Sequence, residues 1–297
     1  MAAYVISCCS TADISKEHLT KRDIHYLCFH FEIDGKSYPD DLGESVPFPK
    51  FYEAMAQGAD TKTSQINISE YLDYFEGFLR EGLDVLHVSL SSGLSGTVNS
   101  AMNAANIAME RYPGRKIIVL DSLAASSGYG LLMDKIADLR DEGMELDALS
   151  KWVMENRLKL HHWFFSTDLK FYIKGGRVSK TSGVIAGMLS ICPLLDMDER
   201  GRLTPRAKVR TKRRVKEETV KRMLTYADGG ANYAGKCYIC HSACMDDALD
   251  VARMVEAQFP HLNGRVEIND IGTTIGSHTG PGTVALFFWG KTRGGEK

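Results

Sequence analysis

Val85-Leu86-His87-Val88-Ser89-Leu90 is a short, nearly unbroken apolar run, followed by the polar, glycine-punctuated stretch Ser91-Ser92-Gly93-Leu94-Ser95-Gly96-Thr97. Beyond it Val98, Ala101, Met102, Ala105, Ala108 and Met109 recur at i, i+3, i+4, i+7 spacing, the signature of an amphipathic helix. Pro113-Gly114 stops that helix, and Lys116 to Leu120 is a second apolar run. Strand, helix and strand in this order form a crossover unit. A crossover places the two strands parallel, in a sheet covered on both faces. This unit sets the fold class as α/β.

The pattern extends in both directions. Tyr4 to Cys8 reads as another buried strand. A helix begins at Asn67, with Glu70 three residues on as a capping box, and turns Tyr71, Leu72, Phe75, Phe78 and Leu79 inward before Gly82 closes it. Helices follow at Gly128 to Leu139 and at Leu146 to Leu158, then a strand at His161 to Phe165. After Thr167 the character changes. Two strand-like runs, Ser190 to Met197 and Arg202 to Val209, flank the turn signal Asp198-Glu199-Arg200-Gly201. A charged helix at Lys212 to Tyr226, a strand at Cys237 to Cys240, a helix at Met245 to Gln258 and a strand at Arg265 to Asn269 follow. The glycine-rich loop Gly272 to Gly282 then leads to the last apolar run, Val284 to Trp289. The expectation is two α/β domains, residues 1–167 and 168–297. The first has a mostly parallel sheet flanked by helices, the second a mixed sheet.

Composition supports a folded chain. Its 297 residues are 44% hydrophobic and 25% charged with a net charge of −2, which excludes a disordered, fibrous or low-complexity protein. No apolar run nears the ~18 residues of a spanning helix. The start, Met1 to Ser15, has no basic segment before an apolar one, so the cytoplasm is the expected location, without stable membrane insertion. Seven cysteines, an odd number set mostly among apolar neighbours, read as buried thiols. Cys237-x-x-Cys240-His241-x-x-Cys244 has metal-like spacing but no second pair, so no metal or other cofactor is expected.

Charge is uneven. Asp168 to Lys216 carries a balance of +9, and six of the nine residues from Lys208 to Lys216 are basic. A solvated helix face accounts for this, and an acidic or phosphate-bearing partner would suit it. Nucleic acid is not expected, because no aromatic residue interleaves the run and no base-reading module accompanies it. Three segments offer binding chemistry: Thr61-Lys62-Thr63-Ser64-Gln65, Ser91 to Thr97, and the loop around His278. The second lies at the carboxyl end of a strand and opens a helix, where free N–H groups and the helix dipole favour a carboxylate or a phosphate. Ser95 alone reads first as a helix cap, which needs no ligand to justify it. It lacks the Gly-x-Ser-x-Gly elbow of a nucleophile, and Asp121 with His278 would complete a triad only by spatial accident.

Taken together the motifs carry more. Ser10-Thr11-Ala12-Asp13, Thr63-Ser64-Gln65, Leu94-Ser95-Gly96-Thr97, Asp121-Ser122, Lys174-Gly175-Gly176-Arg177-Val178-Ser179, Pro193-Leu194-Leu195, Lys208-Val209-Arg210 and His278-Thr279-Gly280-Pro281-Gly282 occur in that order over nearly the whole chain. This order resembles the DegV family of bacterial fatty-acid-binding proteins. The resemblance implies two α/β domains with one long-chain fatty acid between them, and a carrier rather than an enzyme. Thr63 and Ser95 would hydrogen-bond the carboxylate, with Gly96 and His278 beside them and Ser10, Ser64 and Ser122 supporting the head-group loops. Some family members present the carboxylate to a fatty acid kinase subunit, for which Arg177, Arg210 and Lys212 would be docking residues. Cys9 stands where the family commonly has Asp, which bears on the local network around Ser10.

An acyl tunnel must be apolar. Phe165, Ile185, Met188, Leu189, Ile191 and Leu194, near the domain junction, are the expected walls. The competing reading is a serine-dependent acyl hydrolase or transferase that uses Ser95 and His278.

Overall fold

The crossover unit forms as its sequence dictates. Val85 pairs with Ile117 and Ser89 with Asp121, in parallel, and the helix between them runs from Thr97 to Arg111. The computed structural model describes residues 4–178 and 191–294. In chain order the elements are β1 (Tyr4–Cys9), α1 (Lys16–Lys21), β2 (Ile24–Leu27), β3 (His30–Ile33), β4 (Lys36–Pro39), α2 (Phe48–Ala56), β5 (Thr61–Ser64), α3 (Ile68–Arg80), β6 (Asp84–Ser89), α4 (Thr97–Arg111), β7 (Ile117–Asp121), α5 (Ser126–Asp141) and α6 (Leu146–Asn156). They continue with β8 (Leu160–Ser166), α7 (Lys170–Lys174), β9 (Cys192–Met197), β10 (Leu203–Val209), α8 (Lys212–Tyr226), β11 (Tyr238–His241), α9 (Met245–Gln258), β12 (Glu267–Asp270), α10 (Thr273–Thr279) and β13 (Thr283–Trp289).

Among the described residues three sheets result. The first is wholly parallel, ordered β2-β1-β6-β7, and its central strands are buried on both faces, as helices on either side require. The second is mixed, ordered β10-β9-β8-β13-β11-β12. The third is a small antiparallel sheet, β4-β3-β5. One core fills the space around the parallel sheet and the inner face of the mixed sheet. A second core lies between the outer face of the mixed sheet and helices α8 and α9.

Several elements follow the sequence closely. Helices α8 and α9 match their expected bounds, and β9 and β10 pair antiparallel across the 198–201 turn. The Asn67 carboxamide accepts the Glu70 N–H at 3.0 Å, and the Glu70 carboxylate accepts the Asn67 N–H at 2.8 Å, closing the capping box. Others correct it. The polar stretch from Thr61 is not a loop but β5, the edge strand beside β3. The Gly272–Gly282 segment is mostly helical: α10 starts after an extended Gly272, is tied by Ser277 Oγ donating to the Thr273 carbonyl at 2.8 Å, and ends where Gly280 turns to φ 67°. The expected break near residue 167 falls after β8, yet β8 pairs only with β13 and β9. The change of sheet therefore comes earlier, between β7 and β8.

A charged cluster ties the halves together away from that change of sheet. Asp134 of α5, its side chain 1% exposed, accepts from His18 Nε2 at 3.0 Å, from Arg22 Nη1 at 2.8 Å and from Lys236 Nζ. Burial opposes its ionisation, but the hydrogen bonds from His18 and Lys236 and the nearby cations outweigh that and hold its pKa down at about 2. His18, bonded to Asp134 and Glu267, is raised to about 9. It is therefore a cation at neutral pH.

Candidate functional site

The segment that follows β6 faces the inner surface of the mixed sheet across a cavity of about 510 Å³, within the range of small-molecule sites. Strand alternation decides what lines it. His162 and Phe164 of β8 and Thr283, Ala285 and Phe287 of β13 point inward, while Trp163, Phe165, Val284, Leu286 and Phe288 point into the second core. Leu90, Leu94 and Phe29 close the opposite wall. Most of the surface is thus hydrocarbon or aromatic ring.

Polar groups gather where β5, the start of α4, α7 and the end of α10 meet. Thr63, Ser64, Ser95, Gly96, His278 and Arg177 all line the cavity there. The Thr63 hydroxyl lies 2.7 Å from His278 Nε2. His278 Nδ1 has no hydrogen-bond partner among the described residues and is packed against Gly175, where a Cβ would come within 2.3 Å of it. A buried N–H without an acceptor is rarer than a bare acceptor, so we assign the proton to Nε2. His278 then donates to Thr63 Oγ1 and leaves the Thr63 proton free to point into the cavity. Burial, with the Arg177 charge adding to it, lowers the His278 pKa to about 4, so the ring is neutral at pH 7.

Ser95 is arranged in the same sense. Gly96, not Ser95, is the α4 N-cap, and it supplies no side-chain bond. The Ser95 hydroxyl instead accepts the Thr97 N–H at 3.2 Å, which leaves its own proton available as a donor. Arg177 is turned inward, with Nη1 donating to the Gly175 carbonyl at 2.5 Å, and burial lowers its pKa. Two free hydroxyl protons, a neutral imidazole, a guanidinium and the amino end of a 15-residue helix thus converge on one end of an apolar cavity. That arrangement has the chemistry to suit an anion attached to an apolar body.

The sequence expectations divide. Thr63, Ser64, Ser95, Gly96 and His278 come together. Ser10 and Ser122 do not line the cavity: Ser10 Oγ donates to Asp40 at 3.0 Å and accepts the Phe29 N–H, and Ser122 Oγ donates to the Ala124 carbonyl at 3.2 Å, so both shape loops. Phe165 and Leu194 face the second core, one residue out of phase with the wall, and Ile191 precedes β9 without lining the cavity. Ile185, Met188 and Leu189 lie outside the described residues. Of the expected docking residues, Arg177 is in the cavity wall. Lys212 pairs with Asp247 at 2.8 Å, and Arg210 is exposed. Among the described residues no hydrolase triad assembles: His278 meets Thr63 rather than Ser95, and Asp121 Oδ1 accepts the Ser92 and Leu123 N–H groups. The walls at Phe164 and Phe287 sit in strands buried on both faces, where no alternation marks the inner side.

Comparison with known proteins identifies relatives over nearly the whole chain. The family model described as "Uncharacterised protein, DegV family" matches residues 6–291. A DegV domain-containing protein of Clostridium perfringens is 34% identical over 297 residues, covering 99% of both chains. A solved DegV family protein from Thermus thermophilus, described by its fatty acid binding, superposes with a TM-score of 0.85 at 25% identity, over 97% of this chain and 99% of that one. The fold is also that of the Streptococcus pneumoniae fatty acid kinase (Fak) B3 protein loaded with linoleic acid, with a TM-score of 0.83 at 22% identity over 98% and 100% of the two chains. On the family model and the 34% relative, the chain belongs to the DegV family.

Proposed function

We propose that this protein binds one long-chain fatty acid in the cavity and presents its carboxylate to a fatty acid kinase partner. The observation that carries the reading is the convergence of Thr63, Ser95, His278 and Arg177 at one end of a mostly apolar cavity. The carboxylate accepts from the Thr63 and Ser95 hydroxyls and is neutralised by Arg177. The chain lies along Phe164, Phe287 and Leu90. A 16-carbon acid has ~14 methylenes, and at ~0.8 kcal/mol each their burial amounts to about 11 kcal/mol before ordering costs. The tail therefore supplies affinity and the head group supplies orientation.

The direction of the chain favours presentation. Ser64, Gln65 and Gly96 are exposed, so the polar end of the cavity is its solvent end, while His162, Phe164 and Phe287 are buried at the sheet. A carboxylate held at the mouth is within reach of a phosphate donor carried by another protein. On this reading the phosphoryl transfer belongs to the partner, and the fatty-acid-binding Thermus protein and the Fak B3 protein support it by likeness. The test is native mass spectrometry of the purified protein followed by extraction of its ligand. One fatty acid per chain, released on unfolding, is the expected result. An empty protein that also fails to take up added palmitate or oleate overturns the proposal.

A further inference from the structure

Ser95 lies just before α4 and leans on its first turn through the Thr97 N–H, and something must fix that turn. The contact comes from α3. Tyr71 Oη lies 3.0 Å from Thr97 Oγ1, and both residues are fully buried. Thr97 is the residue whose N–H holds Ser95 Oγ. On its other side Tyr71 Oη lies 3.4 Å from Cys9 Sγ at the carboxyl end of β1. The ring is wedged against Phe75 and His87, with centroids 5.6 and 5.2 Å away, so the hydroxyl has little freedom to swing. A second strut runs beside it, from Gln65 Nε2 to Ser100 Oγ at 3.2 Å. Both struts join the β5–α3 segment, which carries Thr63, to the opening turn of α4, which Ser95 directly precedes.

We infer that Tyr71 is a positioning residue for carboxylate recognition: through Thr97 it sets where the Ser95 hydroxyl stands relative to Thr63. This rests on the fatty-acid reading of the cavity. Tyr71 touches no part of the cavity itself, and an aromatic on the inward face of an amphipathic helix reads from sequence as core. Its hydroxyl distinguishes the two roles. Packing needs only the ring, whereas positioning needs the oxygen.

The experiment compares palmitate with hexadecan-1-ol, which shares the tail and lacks the carboxylate, by displacement of an environment-sensitive fluorophore from delipidated full-length protein. Wild type should favour the acid. Tyr71→Phe should lower the acid-to-alcohol affinity ratio about 5- to 10-fold, the size of one lost hydrogen bond, with alcohol binding unchanged. Thr97→Val removes the other end of the same bond and should lower the ratio similarly, and the double variant should lose little more than either single one. An unchanged ratio in the two variants, or an equal loss for acid and alcohol, overturns the inference. If Tyr71→Phe does not fold, Thr97→Val alone decides by the same ratio. A wild-type protein without acid preference would overturn the carboxylate reading itself, a separate failure recognisable before any variant is made.

Discussion

The Asp134 cluster and the Thr63–Ser95–His278 site are built from similar parts and end in opposite states. Each joins segments far apart in sequence with a handful of polar side chains. Around Asp134 the partners are charged and mutually satisfied: one buried carboxylate, with His18, Arg22 and Lys236 around it. At the cavity the imidazole is neutral, the hydroxyls have donors to spare, and the guanidinium of Arg177 has no carboxylate partner among the described residues. A closed network holds a fold together. An open one, with donors pointing into an apolar space, is a request for a ligand. The contrast teaches that incomplete hydrogen bonding, more than the presence of polar residues, separates a binding site from a clamp.

The largest expected effect falls on the clamp. Asp134→Ala strands three cations around a buried position and should cost about 3–5 kcal/mol in urea unfolding, while the acid-to-alcohol binding ratio of the folded fraction stays as in wild type. A loss of ratio with intact stability would erase the distinction between the two regions. At the site the pattern reverses. Thr63→Val combined with Ser95→Ala should weaken palmitate about 10- to 100-fold through two lost donors, leaving hexadecan-1-ol binding and the unfolding midpoint nearly unchanged.

Acid and base separate the regions further. His278 sits at about 4 and the buried His87 at about 3, both below the ~6.5 of an unfolded histidine. At these two histidines the unfolded chain binds more protons over that interval, so their contribution to stability should fall as pH drops from ~6.5 toward ~4. His18, raised to about 9, works the other way: its contribution is full below ~6.5 and is lost as pH rises through 9. Compared with wild type, His278→Gln should therefore change the pH dependence of the urea midpoint only on the acid side, and His18→Gln only on the basic side. The smallest effect belongs to the surface. Lys212 is 52% exposed and paired with Asp247, so Lys212→Ala should change stability by less than about 1 kcal/mol.

How much of this was legible depends on the physical signal each part carries. The β6–α4–β7 crossover, α8 and α9 declare themselves by helical periodicity. The Ser91–Thr97 stretch was readable because strand ends that open helices offer free N–H groups. The walls were not. Every residue of β8 is buried, so its sequence holds no polar alternation to say that Phe164 rather than Phe165 faces the cavity. Choosing the wrong parity moved Leu194 with it. The glycines around His278 read as a loop because composition does not reveal that α10 fits between its Gly272 and Gly280 boundaries. Arg177 read as a surface cation because its inward turn depends on the Gly175 carbonyl, a feature of one local bend. Tyr71 read as core for the reason that it is core, and its hydroxyl became meaningful only when Thr97 was found beside it.

The central claim is that an ionised carboxylate occupies the open network at the cavity mouth. The most direct measurement is a carbon-13 titration of palmitate labelled at its carboxyl carbon and bound to the purified protein. Arg177 and two hydroxyl donors favour the charged form. The resonance should therefore stay at its ionised position from ~pH 8 down to ~pH 5, and should shift in the Thr63→Val, Ser95→Ala variant. A bound carboxyl that is protonated at neutral pH, or that ignores the double substitution, would contradict the account.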